Sequence, residues 1–310
     1  MTLANAILQG IFLGAFYAVL ACGLSIMFGV MRIINLAHGD VAVLGAYVVF
    51  VIVEHTGASA FVAFALALPV MIVLGYALQL AILERSLKSG ILTPLLATFG
   101  LSIVIQNVLL LTFSPDVRSL GGSAGALTTS SWQVTSGLSV SALGLLVLAV
   151  AVLVFGALHL FLSRTRAGWM MRATAEDADA AELVGINSRG VYARATALAV
   201  AIAALGGLFL GIRSVFDPVS GPTQLIFAFE AVVIGGMGSL WGTLLGGIAL
   251  GVAQTLGAQV NPEFSALSGH VLFLAVLIVR YGGGQLLPRR AIKLLFPRSP
   301  GGALVSRAPR

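Results

Sequence analysis

Long apolar runs broken by short polar stretches dominate the chain, and neither the two-residue alternation of half-buried strands nor the sparse pattern of amphipathic surface helices describes it. Nine runs stand out: Leu3 to Val30, Val41 to Val53, Ala60 to Leu83, Ile91 to Phe113, Ser141 to Leu162, Ala195 to Val215, Thr223 to Gly238, Gly242 to Val260 and Ser268 to Val279. A bilayer core of about 30 Å takes roughly twenty helical residues. The pattern therefore predicts an all-α, polytopic transmembrane bundle of eight or nine spans. The second and seventh runs are short for full crossings, which leaves room for a broken or re-entrant segment.

Two polar interruptions are long. Ser163 to Arg194 is charged, and Ser114 to Val140 is rich in Gly, Ser and Thr. The expected organisation is a membrane domain over residues 1–280, with an inner loop at 163–194, an outer loop at 114–140 and a basic, disordered tail at 281–310. Composition agrees: 59% of residues are hydrophobic and 9% charged, where soluble chains carry roughly a quarter charged. The net charge of +6 gathers in loops and tail, so it reads as membrane orientation and not as a nucleic-acid surface. Placing Arg32, Arg85, Lys88, Arg164, Arg166, Arg172, Arg189 and Arg194 inside leaves only Arg118 and Arg213 outside. This favours an outer N-terminus and an inner tail. The first charged side chain is Arg32, so the basic start of a secretory signal is missing and the first span is expected to be retained.

Enzyme chemistry finds little support. With lysine only at positions 88 and 293, no phosphate-binding G-x-x-x-x-G-K-[ST] loop exists, and Cys22 is the one cysteine. His38, His55, His159 and His270 are scattered, which offers no metal cluster.

Three stretches can carry function. In Asn35-Leu36-Ala37-His38-Gly39-Asp40, amide, imidazole and carboxyl groups lie between two apolar runs. Either they line a polar path at membrane depth, or the stretch is an interfacial turn with Asp40 capping the next helix. In 173–187, Ala and Glu favour a short surface helix with Glu176, Asp177 and Asp179 in its first turns and Gly185 just past its end. This is an ordinary connector or a contact surface. Finally, Gly235, Gly236, Gly238, Gly242 and Gly246 allow close helix packing or a helix break, and Glu230 precedes them inside an apolar run as a pathway residue or a hydrogen-bonded one.

These stretches resemble the membrane permease subunits of bacterial ABC importers for branched-chain amino acids, and specifically the first of the two paralogous permeases. The likeness lies in Gly23-Leu24-Ser25, Phe28 to Asp40 and Gly45-Ala46-Tyr47, in Arg166-Ala167-Gly168 to Ile186-Asn187, and in Val233 to Gly242. The resemblance implies an ATPase-coupling helix at Asp177, Asp179, Ala180, Ala181, Glu182 and Gly185. The residues themselves point to a translocation pathway near Asn35, His38, Asp40 and Glu230, and to helix breaks or packing at Gly39, Gly235, Gly236, Gly238, Gly242 and Gly246. The resemblance further implies a bacterial inner-membrane location, a second paralogous permease, cytoplasmic ATPases that use ATP and Mg, a periplasmic binding protein and surrounding lipids. No cofactor, metal or nucleic acid is expected on this chain. Urea or short amides are the alternative solutes. An ATP-independent carrier using His38, Asp40 or Glu230 is the rival mechanism.

Overall fold

In the computed structural model, residues 2–87, 90, 92–135 and 138–286 are described. Their α-helices are α1 (Leu3–Met31), α2 (His38–Thr56), α3 (Ala60–Leu78), α4 (Glu84–Leu87), α5 (Leu92–Phe113), α6 (Ala142–Arg164), α7 (Arg166–Glu176), α8 (Ala178–Leu183), α9 (Ser188–Arg213), α10 (Gly221–Gly235), α11 (Leu240–Val260) and α12 (Phe264–Leu286). Seven segments are long and apolar enough to cross a membrane, counting Ala60–Leu87 as one; α10 and α12 supply two shorter apolar helices. Each of the nine apolar runs holds one of these helices. The chain is a multi-pass integral membrane protein.

The stretch between α5 and α6 adds short elements that are not α-helical to the all-α bundle. It holds a 3-10 turn (Gly121–Thr128) and an antiparallel hairpin of β1 (Ser131–Thr135) and β2 (Leu138–Ser141). Backbone bonds between Arg118 and Phe216 and from Leu120 N–H to the Gly211 carbonyl fasten this loop to the end of α9. Two arginines rest on rings, Arg118 over Phe50 at 5.4 Å and Arg213 over Phe16 at 5.6 Å. The expected tail also begins later, since α12 continues through residues 281–286. Residues 287–310 and Lys88 lie outside the described residues.

Burial divides the bundle. α1 and α9 are 83% and 89% buried over their apolar windows, whereas α3, α5 and α6 are 22% buried. The first pair is therefore the centre, and the second group presents apolar side chains such as Leu66, Val73, Leu111 and Leu153 outward. In a bilayer this exposure is compatible with lipid, because hydrocarbon solvates leucine as well as another leucine does.

Small residues let the central helices meet. α11 carries two glycine pairs: Gly242 and Gly246 approach Gly235 and Ala231 of α10, while Gly247 and Gly251 approach Gly14 of α1. At about 100° per residue, the five-residue offset between the pairs turns them to different faces of α11. One helix is thus clamped between two neighbours at near-backbone distance. A π-helical turn at Gln79–Leu83 lies between α3 and α4, where Thr196 of α9 donates to the Gln79 side-chain oxygen at 2.6 Å.

The topology is open to a direct test. Cys22 is fully buried, which makes the natural chain a quiet background for thiol labelling. A cysteine at Glu263, between α11 and α12, should react with an impermeant reagent added outside, and one at Arg189 only after permeabilisation. The reverse pattern would overturn the orientation drawn from the arginines.

Candidate functional site: a capped surface helix and a broken first hairpin

The surface helix of residues 173–187 is two helices, because Asp177 adopts an extended backbone (φ −154°, ψ 108°) and separates α7 from α8. Glu176 therefore closes α7 instead of opening a helix. The caps follow from the sequence. Thr165 accepts from Gly168 N–H at 3.0 Å, Asp177 from Ala180 N–H at 2.9 Å and Asn187 from Gly190 N–H at 3.1 Å, starting α7, α8 and α9 in turn. α8 ends at Gly185 (φ 85°), where Gly185 N–H donates to the Glu182 carbonyl and Ile186 N–H to that of Ala181. This is the Schellman pattern, and it needs a residue that tolerates a left-handed backbone.

One side of this unit is anchored. Met171, Thr174 and Ala181 are buried, and Arg32 at the end of α1 donates to the Ala175 carbonyl. The other side is open, with Asp177, Asp179, Ala180, Glu182 and Gly185 exposed. Ala181, grouped with them on sequence grounds, faces inward. The most exposed apolar side chains at the tip are Leu183 (90%) and Val184 (76%), which sequence reasoning passed over. Their signal was present: two bulky apolar residues close a polar helix just before its terminating glycine, where only one apolar partner is needed for the cap contact between Ala181 and Ile186.

The segment between α1 and α2 is not an interfacial turn. His38 Nε2 pairs with the Leu20 carbonyl at 2.8 Å, and Leu20 precedes the end of α1 by eleven residues, about 16 Å of helix. Residues 32–37 therefore fold back along α1, and α2 begins beside the middle of its neighbour. The turn starts at Arg32, which takes a left-handed backbone (φ 56°). Asn35 accepts from Ala37 N–H at 3.0 Å and contacts the Met27 sulfur. Asp40 accepts from Ser102 at 2.6 Å and from Gln106 at 2.9 Å, tying α2 to α5.

Asn35, His38 and Asp40 are each at most 3% exposed. In this conformation their polar groups are engaged with partners inside the bundle. Sequence could not show this, because their partners lie up to 66 residues away. Asp40→Ala should lower the thermal midpoint of the purified protein markedly, by about 1–3 kcal/mol of stability, because Ser102 and Gln106 lose a buried acceptor. An unchanged midpoint in detergent would refute this account of Asp40.

Glu230 is buried in α10 and hydrogen-bonds His270 of α12, whose ring also stacks on Phe227. Close by, Tyr17 donates to Gln254 at 2.7 Å, joining α1 to α11. Past Glu230 the chain breaks. Gly235 ends α10, Gly236 (φ 96°) and Gly238 (φ 83°) turn it, and Ser239 caps α11 by accepting from Gly242 N–H. Arg280 donates to the Val233 carbonyl beside this break. Among the described residues no group of His, Cys, Asp and Glu could hold a metal ion.

The geometry is that of a multi-pass helical membrane protein with a folded-back first hairpin and a capped, exposed surface helix. The chain belongs to the family described as the branched-chain amino acid transport system / permease component, which matches residues 6–279. It is 32% identical over 288 residues to the high-affinity branched-chain amino acid transport permease BraD of Pseudomonas aeruginosa, covering 89% of this chain and 94% of that one. Against LivH of Escherichia coli it is 32% identical over 289 residues, covering 87% and 91%. A probable LivH of Methanocaldococcus jannaschii is 26% identical over 249 residues, covering 76% and 75%. No solved structure matches the chain. The protein is therefore a transport permease component, the class its resemblance indicated.

Proposed function

We propose that this chain is the membrane permease of an ATP-driven importer for leucine, isoleucine and valine in a bacterial inner membrane. It works with a second, paralogous permease, with cytoplasmic ATPases that bind ATP and Mg, and with a periplasmic binding protein. The observation that carries this reading is the α7–α8 unit. Its inner side is bonded to α1 and the bundle, and its outer tip offers Leu183 and Val184 to a partner. A carrier without ATPases has no use for such a tip. A rigid helix pair attached to the end of α1 would pass an ATPase movement to the bundle, because both ends of each short helix are capped. Near-full-length similarity to BraD and LivH supports the solute class.

His38 and Asp40 are already satisfied by Leu20, Ser102 and Gln106, so they hold the first hairpin in place. His270, which hydrogen-bonds the buried Glu230, has 43% of its side chain exposed. It is placed to meet a solute or the second permease, with Glu230 behind it. The test is uptake into proteoliposomes holding this chain with its companion permease, ATPases and binder. ATP-dependent accumulation of labelled leucine, with none of urea or acetamide, is expected. Urea uptake without leucine uptake would reassign the solute, and leucine uptake without ATPases would reassign the mechanism.

A further inference from the structure

A cavity of about 310 Å³ opens beside the helix break at the arginine-rich end of the bundle. Its polar walls are Ser25 of α1, His159 and Ser163 of α6, Arg172 of α7, and Ser239 and Trp241 at the start of α11. No carboxylate lines it. The depth follows from the elements: the cavity touches the last turns of α1 and α6 and the first turn of α11, so it lies where the helices leave the membrane.

We propose that this cavity binds the phosphate of an anionic phospholipid from the inner leaflet. Three features select that chemistry. First, Arg172 supplies a fixed positive charge, and the N–H groups of Leu240 and Trp241, in the first turn of α11, have no acceptor within their own helix. Ser239, whose oxygen accepts from Gly242 N–H, keeps its own O–H to donate. Second, Ile26, Leu162 and Met171 form an apolar side suited to the glycerol and upper acyl carbons. Third, Trp241 lines the site and Trp169, outside the lining, donates through Nε1 to the carbonyl of the lining Ser163 at 2.8 Å; the two are 44% and 56% exposed. Amphipathic rings at this depth mark a lipid headgroup boundary. A soluble anion uses the arginine and the hydroxyl but has no use for the apolar side or the rings. Basic pockets between helices on the cytoplasmic face are where anionic headgroups are held.

The experiment is lipid retention by the full chain in its assembled complex, read by native mass spectrometry after titration with phosphatidylglycerol or with phosphatidylcholine of the same acyl chains. Wild type should retain phosphatidylglycerol preferentially. Arg172→Gln should lower that retention about fivefold, the effect of one cation near a membrane surface (about 1 kcal/mol), and Arg189→Gln, a control outside the cavity wall, should leave it unchanged. Equal retention of both lipids, or no effect of Arg172→Gln, would overturn the proposal. Displacement of the lipid by inorganic phosphate at equal concentration would make this a free-anion site, and displacement by leucine would make it part of the solute path; either result overturns it. Should the variant fail to assemble, wild-type complex with a headgroup-photoreactive phosphatidylglycerol decides the matter. Label on residues 159–172 or 239–241 is expected, and label found only elsewhere refutes the site.

Discussion

Gly39→Val should abolish recovery of a folded, monodisperse protein from membranes. A Cβ at position 39 would collide with the Gly221 carbonyl oxygen and would stand 2.8 Å from Leu225 N. Both are backbone atoms, so no side chain can swing aside. The start of α2 would have to leave the start of α10, and Asp40, which borders Gly221 in the same contact, would move with it. Its bonds to Ser102 and Gln106 would break as well. Overpacking alone costs about 1–3 kcal/mol, and losing a buried polar network adds about as much again. Marginal stability of about 5–15 kcal/mol leaves little margin for that sum. Size-exclusion chromatography and thermal unfolding of Gly39→Ala and Gly39→Val provide the test, with the alanine variant intermediate. A monodisperse Gly39→Val protein with the wild-type midpoint would show that α2 and α10 do not meet at this point.

The second large effect concerns the tip of α8. Leu183→Asp together with Val184→Asp should reduce ATP-driven uptake by at least about thirtyfold, the loss expected when one hot-spot contact of 2 kcal/mol or more is removed. Thermal stability of the isolated permease should stay within about 0.5 kcal/mol of wild type, because both side chains are almost fully exposed. Ala181→Arg distinguishes the two sides of the helix. Its side chain is 4% exposed, so an arginine there strains the attachment of α8 to the bundle and should lower stability first. Wild-type uptake by the double aspartate variant would rule out docking through this tip. Loss of uptake with an equal loss of stability would show that the tip is structural.

Local chemistry accounts for what was legible in advance. Apolar run length located the seven long apolar helices and the two shorter ones, because a bilayer span demands about twenty apolar residues whatever its neighbours are. The helix end at Gly185 is also local, since a helix terminus satisfies its backbone groups within a few residues of itself. The separation of α7 from α8 was less visible. Ala173 to Glu182 reads as continuous helix by propensity, yet Asp177 leaves it in order to accept from Ala180 N–H.

Pairings across the sequence belong to the tertiary structure. Glycine spacing on α11 announced close approach but not that one pair faces α10 and the other α1, since a spacing of four defines a stripe and names no partner. The hairpin of β1 and β2 stands in a stretch whose Gly, Ser and Thr content reads as loop. The polar residues show the same division. By sequence, His38 and Asp40 were ionisable groups at membrane depth, and such groups either line a water-filled path or find partners. Which alternative holds depends on the Leu20 carbonyl, Ser102 and Gln106, brought together only when residues 32–37 fold back along α1. His270 likewise looked isolated until α12 packed beside α10 and set it against Glu230. The sequence by itself determined a helical membrane protein, its apolar helices and the surface helix that ends at Gly185, because these depend on groups close together in the chain. Only the tertiary structure decided which polar groups are sealed, which apolar ones are left exposed and where a cavity remains, because those depend on what the rest of the chain places opposite each residue.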